Sequence, residues 1–409
     1  MKKNALFIFA LTAIIGLGSF AACNNKNNNE SSSETPTTSV PAVSSPEESY
    51  PEASSPEESS PEDSSVEEQV VYGWPVAEVG HDIKDADLLQ DGETRCLVYT
   101  TNEESAEEDN VIATRSATND GNGWVYGEET IVITGEVGGW DEYIGSAAMV
   151  KGVFTYGGAS YSWLMAYCAT SQVNDSQQEI GLAVANEVTG EWTKVGTQAL
   201  LQYNEAVYGT SMVGLYAPSL VNLNQESIIR IYYTYADAYG HFAQFVDINA
   251  ANLDLLYAEG AQSDYTLISG VNQLPTNGNY ASGDLAPMFP NADFAHDAAT
   301  GKVVAVKDYS PTAATTPAYA DKIELVEIAE AELYTAAVLN GWNSLKLWDM
   351  TDTLDMMYER LYSACLVTDA YGCVNGATAY EVIYNVCELA MDNADWMFTQ
   401  NLQQFDFVA

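Results

Sequence analysis

Basic side chains are scarce: 14 Lys and Arg stand against 58 Asp and Glu in 409 residues, a formal net charge of −44. Neutralising phosphate requires clustered cations, so this composition argues against a nucleic-acid binder and for neutral or cationic partners. Histidine is scarcer still. His81, His241 and His296 are the only three, and no pair has the His-x-x-x-His spacing of a zinc site. There is no Gly-x-Gly-x-x-Gly, phosphate loop or Gly-x-Ser-x-Gly elbow, so nucleotide and serine chemistry lack their usual scaffolds. Convincing amphipathic helical patterns are few, and no run after residue 22 is apolar enough to cross a membrane. Apolar residues are plentiful, at 47%, with 26 Tyr and 8 Trp, which is enough for a sizeable core and excludes wholesale disorder.

The N-terminus has the pattern of an export signal. Lys2 and Lys3 precede an apolar run from Ala5 to Ala22, which ends at Phe20-Ala21-Ala22-Cys23. This resembles a bacterial lipoprotein signal over residues 1–22, with Phe20 where such signals usually carry Leu, and it implies lipidation of Cys23. The alternative is a transmembrane anchor, for which the run is barely long enough. Residues 23–69 are rich in Ser, Pro and Glu, and Ser-Ser-Pro-Glu recurs at Ser44, Ser54 and Ser59. Such a segment buries too little apolar surface to offset the entropy of ordering, so it is expected to be a disordered, self-repelling linker. These features place the protein outside the cytoplasm, held to the membrane by lipid alone.

From residue 70 onward, short runs rich in Tyr, Val, Ile and Thr alternate with Gly, Asn and Asp turns, an all-β signature. One pattern recurs: two small or acidic residues and a third residue lead into an apolar strand. It appears at Asp85-Ala86-Asp87-Leu88-Leu89, Ser146-Ala147-Ala148-Met149-Val150 and Ala217-Pro218-Ser219-Leu220-Val221. Weaker copies are Asn291-Ala292-Asp293-Phe294-Ala295 and Ser363-Ala364-Cys365-Leu366-Val367. Their first positions lie 61, 71, 74 and 72 residues apart. Each copy is followed by a turn and a second strand, so five four-stranded units over residues 70–409 fit a five-bladed β-propeller. A two-sheet sandwich would explain the strands but not the even interval.

Asp85-Ala86-Asp87-Leu88-Leu89-Gln90-Asp91-Gly92 resembles the Asp-Pro-x-apolar-apolar-x-x-Gly opening of the arabinanase and β-xylosidase-like propellers, glycoside hydrolase family 43 and its relatives. Glu179-Ile180-Gly181-Leu182-Ala183-Val184-Ala185, continuing through Thr189-Gly190-Glu191-Trp192, is similar to a second-blade segment of that group. Tyr216-Ala217-Pro218-Ser219-Leu220-Val221 and Ile231-Tyr232-Tyr233-Thr234 resemble two of its later strands. The likeness spans about residues 75 to 390. It implies a sugar-cleaving fold with Asp85 as general base. It also allows an axial calcium ion, which no spacing here demands.

Glycoside hydrolysis needs two carboxyls flanking the scissile bond, one protonated and one to activate water or attack. In a propeller the first and third positions of each repeat face the axis. The first positions are Asp85, Ser146, Ala217, Asn291 and Ser363, and the third are Asp87, Ala148, Ser219, Asp293 and Cys365. Asp293 is the natural second carboxylate. The acid itself stands in no recognisable motif, leaving Glu359 and Asp284 as candidates, and Ala217 and Asn291 stand where the resemblance calls for a further Asp. For Asp85, Asp87 and Asp293 the alternative role is turn capping at a strand entry. Asp87, Tyr216, Ser219, Trp140 and Trp74 are the candidate sugar contacts, because sugar rings stack on flat side chains. Trp163 and Tyr143 are further aromatic candidates, although most Tyr in alternating strands belong to the core. Cys365 and Cys373 flank a turn and could pair in an oxidising compartment; free buried thiols are the other reading.

The sequence thus leads first to a surface-anchored, monomeric glycoside hydrolase-like protein acting on a polysaccharide, with arabinose or xylose as candidate sugars and no resident cofactor. Its rival is a non-catalytic glycan-binding lipoprotein that kept the pocket and lost the acid. A third class, a structural or adhesion module, would present a filled axial face.

Overall fold

The computed structural model describes residues 78–102, 110–173, 176–209, 213–237, 240–257, 272–273, 289–309, 322–334, 342–349, 352, 360–376, 379–387 and 399–407. The expectations for the signal, Cys23 and the linker, and those for Trp74, Asp284 and Glu359, lie outside the described residues.

The described chain is nearly all β. The first strand group holds β1 (Glu78–Asp91), β2 (Thr94–Asn102) and β3 (Asn110–Asn119), with β4 (Trp124–Tyr126) and β5 (Thr130–Ile133) both on β3. The second is the antiparallel series β6 (Tyr143–Tyr156), β7 (Ala159–Thr170), β8 (Glu179–Ala185) and β9 (Thr193–Val195). The third is β10 (Gly214–Asn222), β11 (Ile228–Asp237), β12 (Gly240–Asn249) and β13 (Asn272–Gln273). The fourth is β14 (Asp293–Asp297), β15 (Lys302–Tyr309), β16 (Lys322–Ala329) and β17 (Asn343–Trp348). The fifth, hydrogen-bonded to the first in one continuous eight-stranded sheet, holds β18 (Arg360–Asp369), β20 (Tyr380–Cys387) and β21 (Thr399–Phe407), with the short β19 (Cys373–Val374) pairing in parallel with β14.

A tight turn closes the inner strand of every group, as the sequence pattern leads one to expect. Each contains a residue in the left-handed region: Gly92, Gly157 with Gly158, Gln225, Gly301 and Gly372.

Apolar packing follows the same five-part order. Val98 and Met149 share a cluster that joins the first and second groups, and Leu164 and Ile231 share one that joins the second and third. Phe245 with Phe294, Leu325 with Leu366, and Leu97 with Ile383 do the same for the remaining pairs, the last returning from the fifth group to the first. Every sheet therefore buries both faces against neighbouring sheets, as curled sheets around an axis do. A two-layer sandwich buries one face of each sheet in a single shared core rather than in a closed series of clusters.

Two backbone devices complete the arrangement. The start of β1 pairs with β21, Glu78 opposite Asn401 and Ile83 opposite Thr399, before the strand bulges and becomes the inner strand of the first group. At the far end of the inner strands, the turn after β18 offers three successive carbonyls. Ala370 accepts from Lys151 N–H at 2.7 Å, Tyr371 from Asn222 at 2.9 Å and Gly372 from His296 at 3.2 Å. One turn of the fifth group thus ties the second, third and fourth inner strands together. Asp369 holds it, accepting from the N–H groups of Tyr371 and Cys373 at 2.8 and 2.9 Å. Only glycine fits at 372: φ is 78°, and a Cβ there would lie 2.1 Å from the Leu220 carbonyl oxygen.

Candidate functional site

The inner strands kink where the repeat begins. The register slips between Lys84 and Asp87, Ile144 and Ala147, Tyr216 and Ser219, and Tyr362 and Cys365. Each slip is a β-bulge, a device that re-aims side chains. Four first positions sit at positive φ: Asp85 at 52°, Ala217 at 48°, Asn291 at 46° and Ser363 at 48°. Non-glycine residues seldom adopt this conformation, and four such kinks at equivalent positions are held by the surrounding sheets.

The kinks bring the repeats together. Asp85, Asp87, Ser146, Ala217, Ser219, Asn291, Asp293 and Ser363, with the small residues between them, line one cavity of about 30 Å³. That is room for about one or two waters.

Inside it the first and third positions do different work. The Ser363 hydroxyl donates to Asp85 Oδ1. The Ser363 N–H donates to Asp308 Oδ1 at 2.7 Å, and Asn291 Nδ2 donates to Asp308 Oδ2, also at 2.7 Å. Ser146 Oγ accepts from Ala217 N–H at 3.0 Å, and the Tyr216 hydroxyl accepts from Asn291 N–H.

The third positions stitch one group to the next. Asp87 Oδ2 accepts from Met149 N–H at 3.1 Å, Ser219 Oγ from Phe294 at 3.1 Å and Asp293 Oδ2 from Leu366 at 2.7 Å, while Cys365 accepts from Leu88. Each donor is the fourth position of the following repeat. Only the second group, whose third position is Ala148, lacks a side chain able to accept.

Burial raises both stitching carboxyls. Asp293 is pushed up to about 6, with the Leu366 N–H, the Ser219 hydroxyl and the Phe294 N–H pulling it back. Asp87 rises well above the usual carboxylate range through burial and then through the charge on Asp293, so the pair carries one negative charge more readily than two.

The structure distributes the sequence candidates unevenly. Asp85, Asp87, Ser219 and Asp293 meet at the pocket. Tyr216 stands one residue before its bulge and is buried. Its hydroxyl is bonded to His241 Nδ1, and its ring meets that imidazole edge-on, with centroids 5.9 Å apart. Trp140 is half-buried on the β6 side of the first interface, 5.6 Å from the Tyr167 ring and directly over Gly181, outside the pocket lining. Trp163 is buried beside Lys151. Neither Trp140 nor Trp163 presents a platform to this cavity. Cys365 and Cys373 are free thiols, as are Cys96 and Cys168. His296 is held by the Tyr232 hydroxyl at 3.0 Å, and burial lowers it to about 4. Among the described residues no three His, Cys, Asp or Glu side chains gather as a metal site.

Asp308 went unnoticed in the sequence. It is 1% exposed and lies in the second strand of the fourth group, far from any repeat position. Its signal is an acidic residue at the end of the apolar run Val303-Val304-Ala305-Val306, a place where a charge needs buried partners.

No protein-family model and no curated protein sequence matches this chain. Solved structures do. The family 117 glycoside hydrolase Zg3597 of the marine bacterium Zobellia galactanivorans is 11% identical, with a TM-score of 0.50 over 83% of this chain and 90% of its own. The catalytic domain of a Coprinopsis cinerea GH62 α-L-arabinofuranosidase is 8% identical, with a TM-score of 0.51 over 80% of this chain and 90% of its own. At these identities the likeness is one of fold: the chain has the curled, propeller-like all-β architecture of these glycoside hydrolases.

Proposed function

We propose that this chain is a five-bladed, glycoside hydrolase-like propeller that takes a polysaccharide at the Asp85 end of its axial pocket. The observation that carries the reading is the convergence of all five repeat openings on one cavity, with the Asp85 carboxylate among them. One of its oxygens is bonded to Ser363 and the other has no partner among the described residues. The fold shared with an α-L-arabinofuranosidase suggests arabinose- or xylose-containing glycans as the first ligands to try.

Binding without cleavage is the form the described geometry supports best. Hydrolysis would use Asp85 as general base opposite a protonated carboxyl. Asp293 is raised into a suitable range, but its oxygen is engaged with Leu366 in the way that Ser219 engages Phe294. A stitching role accounts for both residues, whereas acid catalysis accounts for one. Ala217 and Asn291 bring no carboxyl to the first-position layer. Hydrolysis is the second reading, with Glu359 or Asp284 as acid. In either form the protein is a monomer outside the cytoplasm, held to the membrane or cell surface by lipid on Cys23 with residues 23–69 as spacer.

The test compares the wild-type chain with Asp85→Asn by calorimetry against arabinohexaose and xylohexaose, and by reducing-sugar release from arabinan and xylan. Binding weakened at least about tenfold by the substitution supports the reading, since a hydrogen bond to a charged group is worth that much. Sugar release that disappears in the variant selects the hydrolase form. A wild-type chain that neither binds nor cleaves overturns both.

A further inference from the structure

We infer that Asp308, which lies behind the pocket wall, is a positioning residue that turns the Asn291 amide oxygen and the Ser363 hydroxyl to face the axial pocket. The inference rests on the functional reading above and specifies how that site meets its ligand.

A carboxylate only accepts hydrogen bonds, so the Asn291 group facing Asp308 Oδ2 at 2.7 Å is the amide nitrogen. The amide oxygen is then turned away from Asp308, and it has no partner among the described residues. The other Asp308 oxygen takes the Ser363 N–H at 2.7 Å, fixing the residue whose hydroxyl proton goes to Asp85. One buried carboxylate thus sets two neighbouring first positions, both at positive φ. The hydroxyl of Ser219 is likewise committed, accepting from Phe294 N–H at 3.1 Å.

What remains for a ligand is a pair of acceptors, the second oxygen of Asp85 and the amide oxygen of Asn291. A saccharide would therefore approach with hydroxyl protons directed at both. Without Asp308, the Asn291 amide is free to turn over and offer a donor where the ligand brings one too.

The experiment has two arms. The first is a double-mutant cycle with Asp308→Asn, Asn291→Ala and the pair combined, read as affinity for arabinohexaose and xylohexaose. If Asp308 acts through Asn291, each single change weakens binding about tenfold and the combination weakens it no further. Losses that multiply overturn the inference, because a merely structural Asp308 would act independently of Asn291.

The second arm needs no ligand. In protein labelled with ¹⁵N at asparagine, the Asn291 side-chain signal, identified by its absence in Asn291→Ala, moves in Asp308→Asn. A signal that stays in place overturns the inference whether or not any sugar binds. Should Asp308→Asn fail to fold, the exchanged pair Asn291→Asp with Asp308→Asn again sets an amide donor against a carboxylate. A cooperative thermal melt regained by the exchanged pair supports the link, and an exchanged pair that also fails to fold overturns it. An amide signal that moves in Asp308→Asn, together with a wild-type chain that binds neither sugar, sinks the functional reading while supporting the positioning role.

Discussion

The backbone N–H of Leu366 donates to Asp293 Oδ2 across 2.7 Å, the contact that Phe294 makes with the Ser219 hydroxyl one repeat earlier. A carboxylate and a hydroxyl thus occupy equivalent places and do equivalent work. Asp293→Ala leaves the Leu366 N–H without an acceptor and should destabilise the fold by about 1–3 kcal/mol. Asp293→Ser should recover part of that loss, as the hydroxyl at Ser219 indicates. Urea unfolding of the three proteins checks this, and equal stabilities would show that the contact contributes nothing.

The same carboxyl makes stability depend on pH. Folding raises the Asp293 carboxyl from its ordinary value of 3.8 to about 6. Between those values the native chain binds more protons than the unfolded one, so stability falls as pH rises through the window. Below about 4 this penalty is absent, and above about 6 it is fully present. The difference in melting temperature between wild type and Asp293→Asn, followed from pH 4 to 7, should shift in favour of the variant as pH rises. A difference that stays flat would contradict the shift.

A third prediction concerns the turn after β18. Gly372→Ala forces a Cβ to within 2.1 Å of the Leu220 carbonyl at a φ of 78°, and should destabilise by roughly 2–4 kcal/mol. Gly92→Ala is the control. Its φ is 64° with nothing within 4 Å, so it should lose only about 1 kcal/mol. Thermal melts of both variants give the comparison, and similar losses would mean that the Leu220 contact is unimportant.

The strands were legible because alternation and turn chemistry are local. Tyr161 to Tyr167, Ile228 to Tyr235 and Val303 to Lys307 all fall within strands, and each linking turn has its left-handed residue. The interval between repeats was equally readable, since Asp85, Ser146, Ala217, Asn291 and Ser363 do meet at one cavity. What a residue does there was less readable. Asp85 and Asp293 look alike in sequence, yet one has a carboxylate oxygen without a partner among the described residues and the other is engaged with the next strand. That distinction is made by the bulge, which separates the first position from the third. Tyr216 illustrates a different limit. An aromatic beside the pocket reads as a sugar platform until packing shows its hydroxyl bonded to His241 and Asn291. Asp308 was hidden for a third reason: it reaches the site from a second strand, through Asn291 of its own repeat and Ser363 of the next.

The pairing of Ile83 with Thr399 joins positions more than three hundred residues apart. During synthesis the earliest part of β1 must wait for β21 to leave the ribosome before it gains this second neighbour. Local hairpins can form much sooner, which leaves the nascent molecule with an unpaired strand edge throughout most of translation. Folding of such a long-range topology is therefore expected to be slow.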